Sequence, residues 1–242
     1  MNQILIDNFN NDGYLVLKLD EYLNETELNE YENLLDEFKV DLESIKSSIG
    51  FLSIAYDYSQ FEENDISFIN GIIEKTYITY TDYLKLYELN KKYSIKKDDY
   101  FNFMLTSIQP IDNVKYYLNI AYKKILNELF GYTIENKKNL LTGHMNVYPK
   151  GSYIRKHKDG HGDASDIIST SLFFLNKNRK YEDGSILVMY DKNNQKIEIV
   201  PDYKTIVILN HTHTNLEHEV TENLVDDIRL SLYTPFQQKY LN

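Results

Sequence analysis

The chain has 242 residues, enough for one large domain, and its 42% hydrophobic and 26% charged residues allow an ordinary packed core. The net charge of −11, from 26 basic and 37 acidic side chains, argues against a general nucleic-acid binder, because phosphate contact wants a basic face. There is no cysteine, which excludes disulfide frameworks, thiolate zinc sites and cysteine nucleophiles, and fits a reducing, cytoplasmic setting. The polar start shows no signal-peptide pattern, and no run approaches the ~20 apolar residues of a membrane helix, so neither a membrane nor a nucleic acid is an expected partner.

In chain order, residues 13–19 (GYLVLKL) read as a short strand behind a glycine. Asn24 and Glu27 form the two ends of a capping box. The helix they open carries Leu28, Tyr31, Leu35 and Phe38 on one face and a solvated acidic face of Glu30, Glu32 and Glu37. Residues 64–95 are expected to be mostly helical, with a tyrosine series at 77, 80, 83 and 87 that suits a core or interface better than a cofactor site. The clearest helix runs from Asp112 to a stop at Gly131, with Val114, Tyr117, Leu118, Ala121, Ile125, Leu129 and Phe130 on its buried face.

After Gly131 the texture changes to short alternating or apolar runs broken by turn residues. Strands are expected near 143–148, 152–157, 169–175, 185–190, 196–199, 204–209, 215–219 and 228–234. Eight such strands predict a double-sheet jelly roll of the cupin-like, double-stranded β-helix kind. The fold class is then α+β with a mainly β core and N-terminal buttressing helices. We expect a single domain over 1–242, with 1–140 as helical support containing a short strand and 141–236 as the jelly-roll core.

Three features of that core belong together. Residues two apart on a strand share a face, so His157 and Asp159 point into the barrel together. His218 brings a second imidazole at a penultimate strand. His211 and His213 compete for that role, but a short turn to the strand carrying Arg229 favours His218 and leaves the other two as loop residues. Two histidines and a carboxylate can hold one face of an iron(II) ion and leave the opposite positions open. On the last strand, Arg229, Ser231 and Tyr233 alternate inward, while Ile228, Leu230 and Leu232 face the packed side. A buried arginine needs an anion, and its fork suits a carboxylate held bidentately, with Ser231 as an added donor. A salt bridge to an internal acid such as Asp227 is the plainer alternative.

Together these residues resemble the prolyl-hydroxylase-like branch of the 2-oxoglutarate/Fe(II) oxygenase superfamily. The resemblance spans about 143–236. It rests on Tyr148-Pro149-Lys150-Gly151 ahead of His157-x-Asp159, TSLFFLN at 170–176, EDGSILVMY at 182–190, IVPDYKTIVIL at 199–209, His218 and Arg229-x-Ser231. The opening FNNDGYLVLK is similar to several such enzymes, though less specific.

The resemblance implies a hydroxylating dioxygenase using Fe(II), 2-oxoglutarate as cosubstrate, and O2. It implies that His157, Asp159 and His218 are the metal-binding catalytic set. It also implies that Arg229 and Ser231 hold the distal carboxylate of 2-oxoglutarate, and that Tyr148, facing inward with His144 and Asn146, hydrogen-bonds the cosubstrate. A carboxylate at Asp159 favours hydroxylation over halogenation.

The candidate substrate contacts are Arg155, Asn146, His144 and Tyr233. By alternation Arg155 turns inward with His157, where it would bind a substrate carboxylate or else pair with a local acid such as Asp163 or Asp166. The first case favours a free amino acid or similar small carboxylate as substrate. Residues 158–167 read as a mobile rim, where His161 and Asp163 could touch substrate. The competing readings are a peptide or protein hydroxylase, a catalytically silent cupin-like binding protein, and a non-oxidative zinc enzyme. The last leaves Arg229-x-Ser231 without a role.

Overall fold

The computed structural model describes residues 2–45, 47–48, 58–94, 102–103, 105–107, 112–131, 141, 143–159, 166–212 and 216–237. Helix α1 (Gln3–Asp12) is opened by the Asn2 side chain, which accepts from Leu5 N, and closed by Gly13 at a left-handed φ of 81°. The sequence reading did not include this helix, of which only Phe9 is buried. Strand β1 (Tyr14–Lys18) follows. Helix α2 (Glu25–Glu37) starts on the expected capping box, the Asn24 side chain accepting from Glu27 N and the Glu27 carboxylate from Asn24 N.

The stretch 64–95, expected to be mostly helical, holds two helices, α3 (Glu63–Ile73) and α4 (Tyr80–Lys92). Between them β-branched Thr76, Ile78 and Thr79 and aromatic Tyr77 favour extended backbone. Tyr77–Ile78 forms β3 and pairs with β2 (Ser47–Ser48). Thr79 and Asp82 then make a second capping box that starts α4. From α4 the fully buried Tyr83 hydroxyl reaches Ser152 Oγ at 2.6 Å, tying the helical half to the barrel. Strands β4 (Asn102–Phe103) and β5 (Leu105–Ser107) come next, then α5 (Asp112–Phe130), which ends at Gly131 with φ 64°.

All eight expected jelly-roll strands are present, with boundaries displaced by a few residues: β6 (Met145–Tyr148), β7 (Tyr153–His157), β8 (Ile167–Phe174), β9 (Leu187–Tyr190), β10 (Lys196–Ile199), β11 (Thr205–Asn210), β12 (His218–Val220) and β13 (Arg229–Gln237). They form two antiparallel sheets. One has the order β1-β11-β8-β13-β6-β5 and the other β10-β9-β12-β7-β4. Strands β1, β4 and β5, all from the N-terminal half, sit at sheet edges.

Alternation divides the larger sheet between two apolar layers. Tyr148, Leu172, Phe174, Val207 and Leu209 face inward against Ile154, Leu187, Met189 and Val220 of the smaller sheet. Met145, Val147, Phe173, Ile206, Ile208, Leu230 and Leu232 face outward and pack with Phe9, Tyr31, Leu35, Leu118, Tyr122 and Ile125 of the helices. This is the double-stranded β-helix with helical buttress. None of the described helices is long and apolar enough to cross a membrane.

Candidate metal centre

His157 and His218 are direct cross-strand partners on β7 and β12, and their ring centroids lie 4.3 Å apart. Each ring is set by its own backbone. His157 Nδ1 is 2.8 Å from the Arg155 carbonyl, and His218 Nδ1 is 3.2 Å from the Leu216 carbonyl. A carbonyl can only accept, so Nδ1–H donates and each Nε2 keeps its lone pair. Both Nε2 atoms converge on one oxygen, Asp159 Oδ1, at 3.4 Å and 3.7 Å. The donor atoms of the three residues all fall within 4.8 Å of one another. His218 is buried, whereas His157 and Asp159 are half-buried, so the group opens on one side.

The electrostatics suit a cation. Burial pushes the Asp159 carboxyl up, but the His157 hydrogen bond and the charges of His218, His157 and His211 outweigh it and hold Asp159 at about 2. Burial drives His218 down to about 4. Burial also pulls His157 down, but the hydrogen bonds to Asp159 and the Arg155 carbonyl leave it above its ordinary value. Two imidazole nitrogens and one anionic oxygen on one side of a shared point fit a borderline divalent ion such as Fe(II).

The same strand pairing overturns the reading of Arg155. Between His218↔His157 and Val220↔Ile154, β12 spends two residues where β7 spends three. That is a β-bulge, and it breaks strict alternation. His157 and Ile154 both face the barrel interior, and Arg155 and Lys156 both fall on the outer side opposite Glu219. Arg155 is exposed, and it lines a cleft of about 360 Å³ with Lys156, Glu219, Thr221 and Glu222. Lys156 pairs there with Glu217 at 2.7 Å and lies over the Tyr190 ring. The bulge has a use of its own, since it aims the Arg155 carbonyl at His157 Nδ1.

On the larger sheet, Arg229 pairs across with Tyr148, and Ser231 with Asn146. Arg229 is 1% exposed. Its guanidinium lies 4.1 Å over the Tyr148 ring and 5.1 Å from the Phe174 ring, and Nη1 donates to Ser231 Oγ at 3.0 Å. Its Nε has no partner, and no carboxylate pairs with it among the described residues. Asp227, the acid considered as its partner, lies instead 3.5 Å from Arg179. Arg229 is thus a buried cation with donors to spare, which is the requirement for holding a carboxylate. Tyr148 is buried, and that burial raises its phenol although Arg229 opposes the shift.

Nearer the opening, the His144 ring stacks on the Tyr233 ring with centroids 5.0 Å apart. Tyr233 N donates to the His144 carbonyl. Gly143 permits this approach, because a Cβ there would lie 1.5 Å from the Tyr233 carbonyl oxygen. Burial and then the charge of Asp159 push the Tyr233 phenol to about 12, which places it within the field of the metal-binding group. Asn146 is buried on β6 between His144 and Tyr148.

His211 was expected to be a loop residue, with the alternative that it or His213 supports a metal ligand from behind. It lies just past β11, with Nε2 2.7 Å from Thr170 Oγ1 and 3.8 Å from Asp159 Oδ2. The signal was in the sequence, since inward Val207 and Leu209 continue to His211 with period two. His161, Asp163, His213 and most of the rim 158–167 lie outside the described residues.

Residues 143–235 match the family model of the 2OG-Fe(II) oxygenase superfamily. That stretch of the chain is similar to the 2OG-Fe(II) oxygenase superfamily. The two-histidine, one-carboxylate group and the buried arginine both lie within the matched stretch. Members of this oxygenase superfamily use Fe(II), 2-oxoglutarate and O2. No curated protein matches the chain by sequence.

Among solved structures, the chain is similar to a prolyl-4-hydroxylase from Pseudomonas putida, with 16% identity, a TM-score of 0.55 and 97% of each chain covered. It is similar to a prolyl hydroxylase from Trichoplax adhaerens in complex with a hypoxia inducible factor peptide fragment, at 14% identity and TM-score 0.52, covering 99% of this chain and 90% of that one. A third is the α-ketoglutarate-dependent epimerase SnoN from nogalamycin biosynthesis, at 11% identity and TM-score 0.56, covering 97% of this chain and 80% of that one. Likeness at these identities speaks for the fold.

Proposed function

We propose that this protein is an Fe(II)- and 2-oxoglutarate-dependent dioxygenase that hydroxylates an unactivated C–H bond. The observation that carries the reading is the buried Arg229, which has no carboxylate partner among the described residues, in the same barrel as the converging Nε2 and Oδ1 donors of His157, His218 and Asp159. A cupin with a silent metal site has no need of that guanidinium, whose burial costs several kcal/mol when unpaired.

His157 Nε2, His218 Nε2 and Asp159 Oδ1 would hold Fe(II), with the two Nδ1–H bonds to backbone carbonyls fixing the rings. Arg229 and Ser231 would take the distal carboxylate of 2-oxoglutarate, and the Tyr148 phenol would donate to the same molecule. Bound in this way, Fe(II) and 2-oxoglutarate supply with O2 the oxidising power for hydroxylation, the cosubstrate leaving as succinate and CO2. The near-complete burial of Arg229, Tyr148 and Ser231 keeps water from the charged end of that pocket. The side of the opening formed by the half-buried His144 and Tyr233 and the buried Asn146 is where we place the substrate.

The substrate class follows less directly. With Arg155 on the outer face, the ground for preferring a free amino acid or small carboxylate is gone. The other buried arginine among the described residues, Arg179, is occupied by Asn223 and nearby carbonyls. A small molecule bound through the His144–Tyr233 pair is our first reading. A peptide is the second, supported by the peptide complex of the Trichoplax neighbour. We also read the chain as a single domain, because one apolar layer joins the helices to the larger sheet.

The test is succinate formation by protein loaded anaerobically with Fe(II), given 2-oxoglutarate, O2 and a panel of small molecules and peptides, beside calorimetry of 2-oxoglutarate in the presence of Mn(II). Stimulated turnover is expected with a panel member, and 2-oxoglutarate binding with or without one. A protein that binds no 2-oxoglutarate and makes no succinate refutes the proposal.

A further inference from the structure

We infer that Asn223, clamped by Arg179, is a positioning residue for the subsite that takes the distal carboxylate. The inference rests on the function proposed above and adds to it a residue outside the pocket. Asn223 is fully buried, and all of its side-chain hydrogen-bonding groups are directed. Nδ2 donates to the Tyr148 carbonyl at 2.9 Å and to the Asp227 carbonyl at 2.9 Å. Oδ1 accepts from Arg179 Nη2 at 2.9 Å. Arg179 in turn donates from Nη1 to the same Asp227 carbonyl at 3.2 Å and from Nη2 to the Asp183 carbonyl at 3.4 Å.

The backbone of Asn223 is tied as well. Its N–H donates to the Ser152 carbonyl, its carbonyl accepts from Gly151 N, and it bridges Gly184. Three turns therefore meet on one side chain: the one leaving β6 after Tyr148, the one entering β9, and the one entering β13 before Arg229. The two carbonyls gripped by Nδ2 belong to Tyr148 itself and to Asp227, two residues before Arg229. Tyr148 and Arg229 are register partners whose ring and guanidinium stack, so their mutual height sets where the guanidinium fork points. A local amide thus fixes the backbone under both residues without reaching the pocket. The metal ligands sit on β7, its following turn and β12, and do not share these hydrogen bonds.

Asn223→Asp is the informative variant. It keeps an oxygen for Arg179 and places a second oxygen against two carbonyls, which must then move apart. The readouts are dissociation constants for Mn(II), for 2-oxoglutarate and for pyruvate, which has the same keto-acid head without the distal carboxylate. Misplacement of the fork should weaken 2-oxoglutarate about tenfold and narrow its advantage over pyruvate by the same factor, with Mn(II) binding unchanged. A general loosening of the fold would weaken all three together and would overturn the inference, as would an unchanged ratio. Where Asn223→Asp does not fold, Arg179→Lys, which leaves the amide in place but removes most of its tie, carries the same ratio test. Wild-type protein and Arg229→Met separate the two levels. If wild type binds no 2-oxoglutarate, the proposed function and this inference fall together. If wild type binds it, Arg229→Met abolishes binding and Asn223→Asp leaves the ratio intact, the inference falls alone.

Discussion

Replacing Arg229 by methionine should have opposite effects on stability and on ligand binding. The guanidinium is 1% exposed, lies over the Tyr148 and Phe174 rings, donates to Ser231 Oγ, and pairs with no carboxylate among the described residues. Burial pulls its pKa down, so the ligand-free protein carries a cation that is poorly compensated. Exchanging such a charge for an apolar side chain of similar volume is neutral or stabilising by about 1–4 kcal/mol. Binding moves the other way. Losing one partner of a buried, charge-assisted pair costs about 2–5 kcal/mol, or roughly 30-fold to several thousand-fold in affinity. Thermal unfolding in the presence of Mn(II), with and without 2-oxoglutarate, reads both effects. At about 100 times its dissociation constant, the ligand should stabilise wild type by about 2.7 kcal/mol, or roughly 5–10 °C in a chain of this size. Arg229→Met should show at most about a third of that shift and an equal or higher Tm without ligand. A variant that loses several kcal/mol in the ligand-free state would mean that the guanidinium already has its anion. A variant that keeps the shift would mean that the cosubstrate binds elsewhere.

Metal affinity should fall as pH is lowered, and His157 should set where. Binding needs the carboxylate ionised and both imidazoles neutral. Asp159 is held at about 2 and His218 at about 4, so both are in that state over the ordinary range. His157 is raised above the usual histidine value of about 6.5, so it takes up a proton first and competes with the metal below that point. Mn(II) titrations should show affinity dropping by up to about tenfold per pH unit below the His157 pKa, and a flat profile down to about pH 5 would sink the assignment. His211→Leu should weaken Mn(II) binding by about tenfold, because it removes the imidazole beside Asp159 Oδ2 and leaves the carboxylate freer to turn. An unchanged Mn(II) constant in that variant would reduce His211 to packing.

Much of this molecule is written in local chemistry. Period-two alternation and turn residues marked the eight jelly-roll strands, and the last of them correctly pointed Arg229, Ser231 and Tyr233 away from the outward layer of Leu230 and Leu232. The Asn24 capping box and the stop at Gly131 bounded their helices because a cap is made by residues only a few positions apart. His157-x-Asp159, His218 and Arg229-x-Ser231 were visible for the same reason, since each is a short pattern on one strand. Helix α1 was missed although its Asn2 cap and Gly13 stop are both local features of the sequence.

Tertiary structure decided what depends on two strands at once. Whether Arg155 faces in or out turns on the count of residues between its cross-strand neighbours on β12, and no pattern within β7 reports that count. That the Asp227 carboxylate lies against Arg179, leaving Arg229 without it, depends on Asn223 drawing three turns together from distant parts of the chain. The approach of His211 to the second oxygen of Asp159 likewise exists only once β11 and the turn after β7 are brought side by side. Periodicity tells a side chain which face of its own strand it occupies. Pairing, bulges and long-range hydrogen bonds decide what stands opposite, and the chemistry of this site lies in what stands opposite.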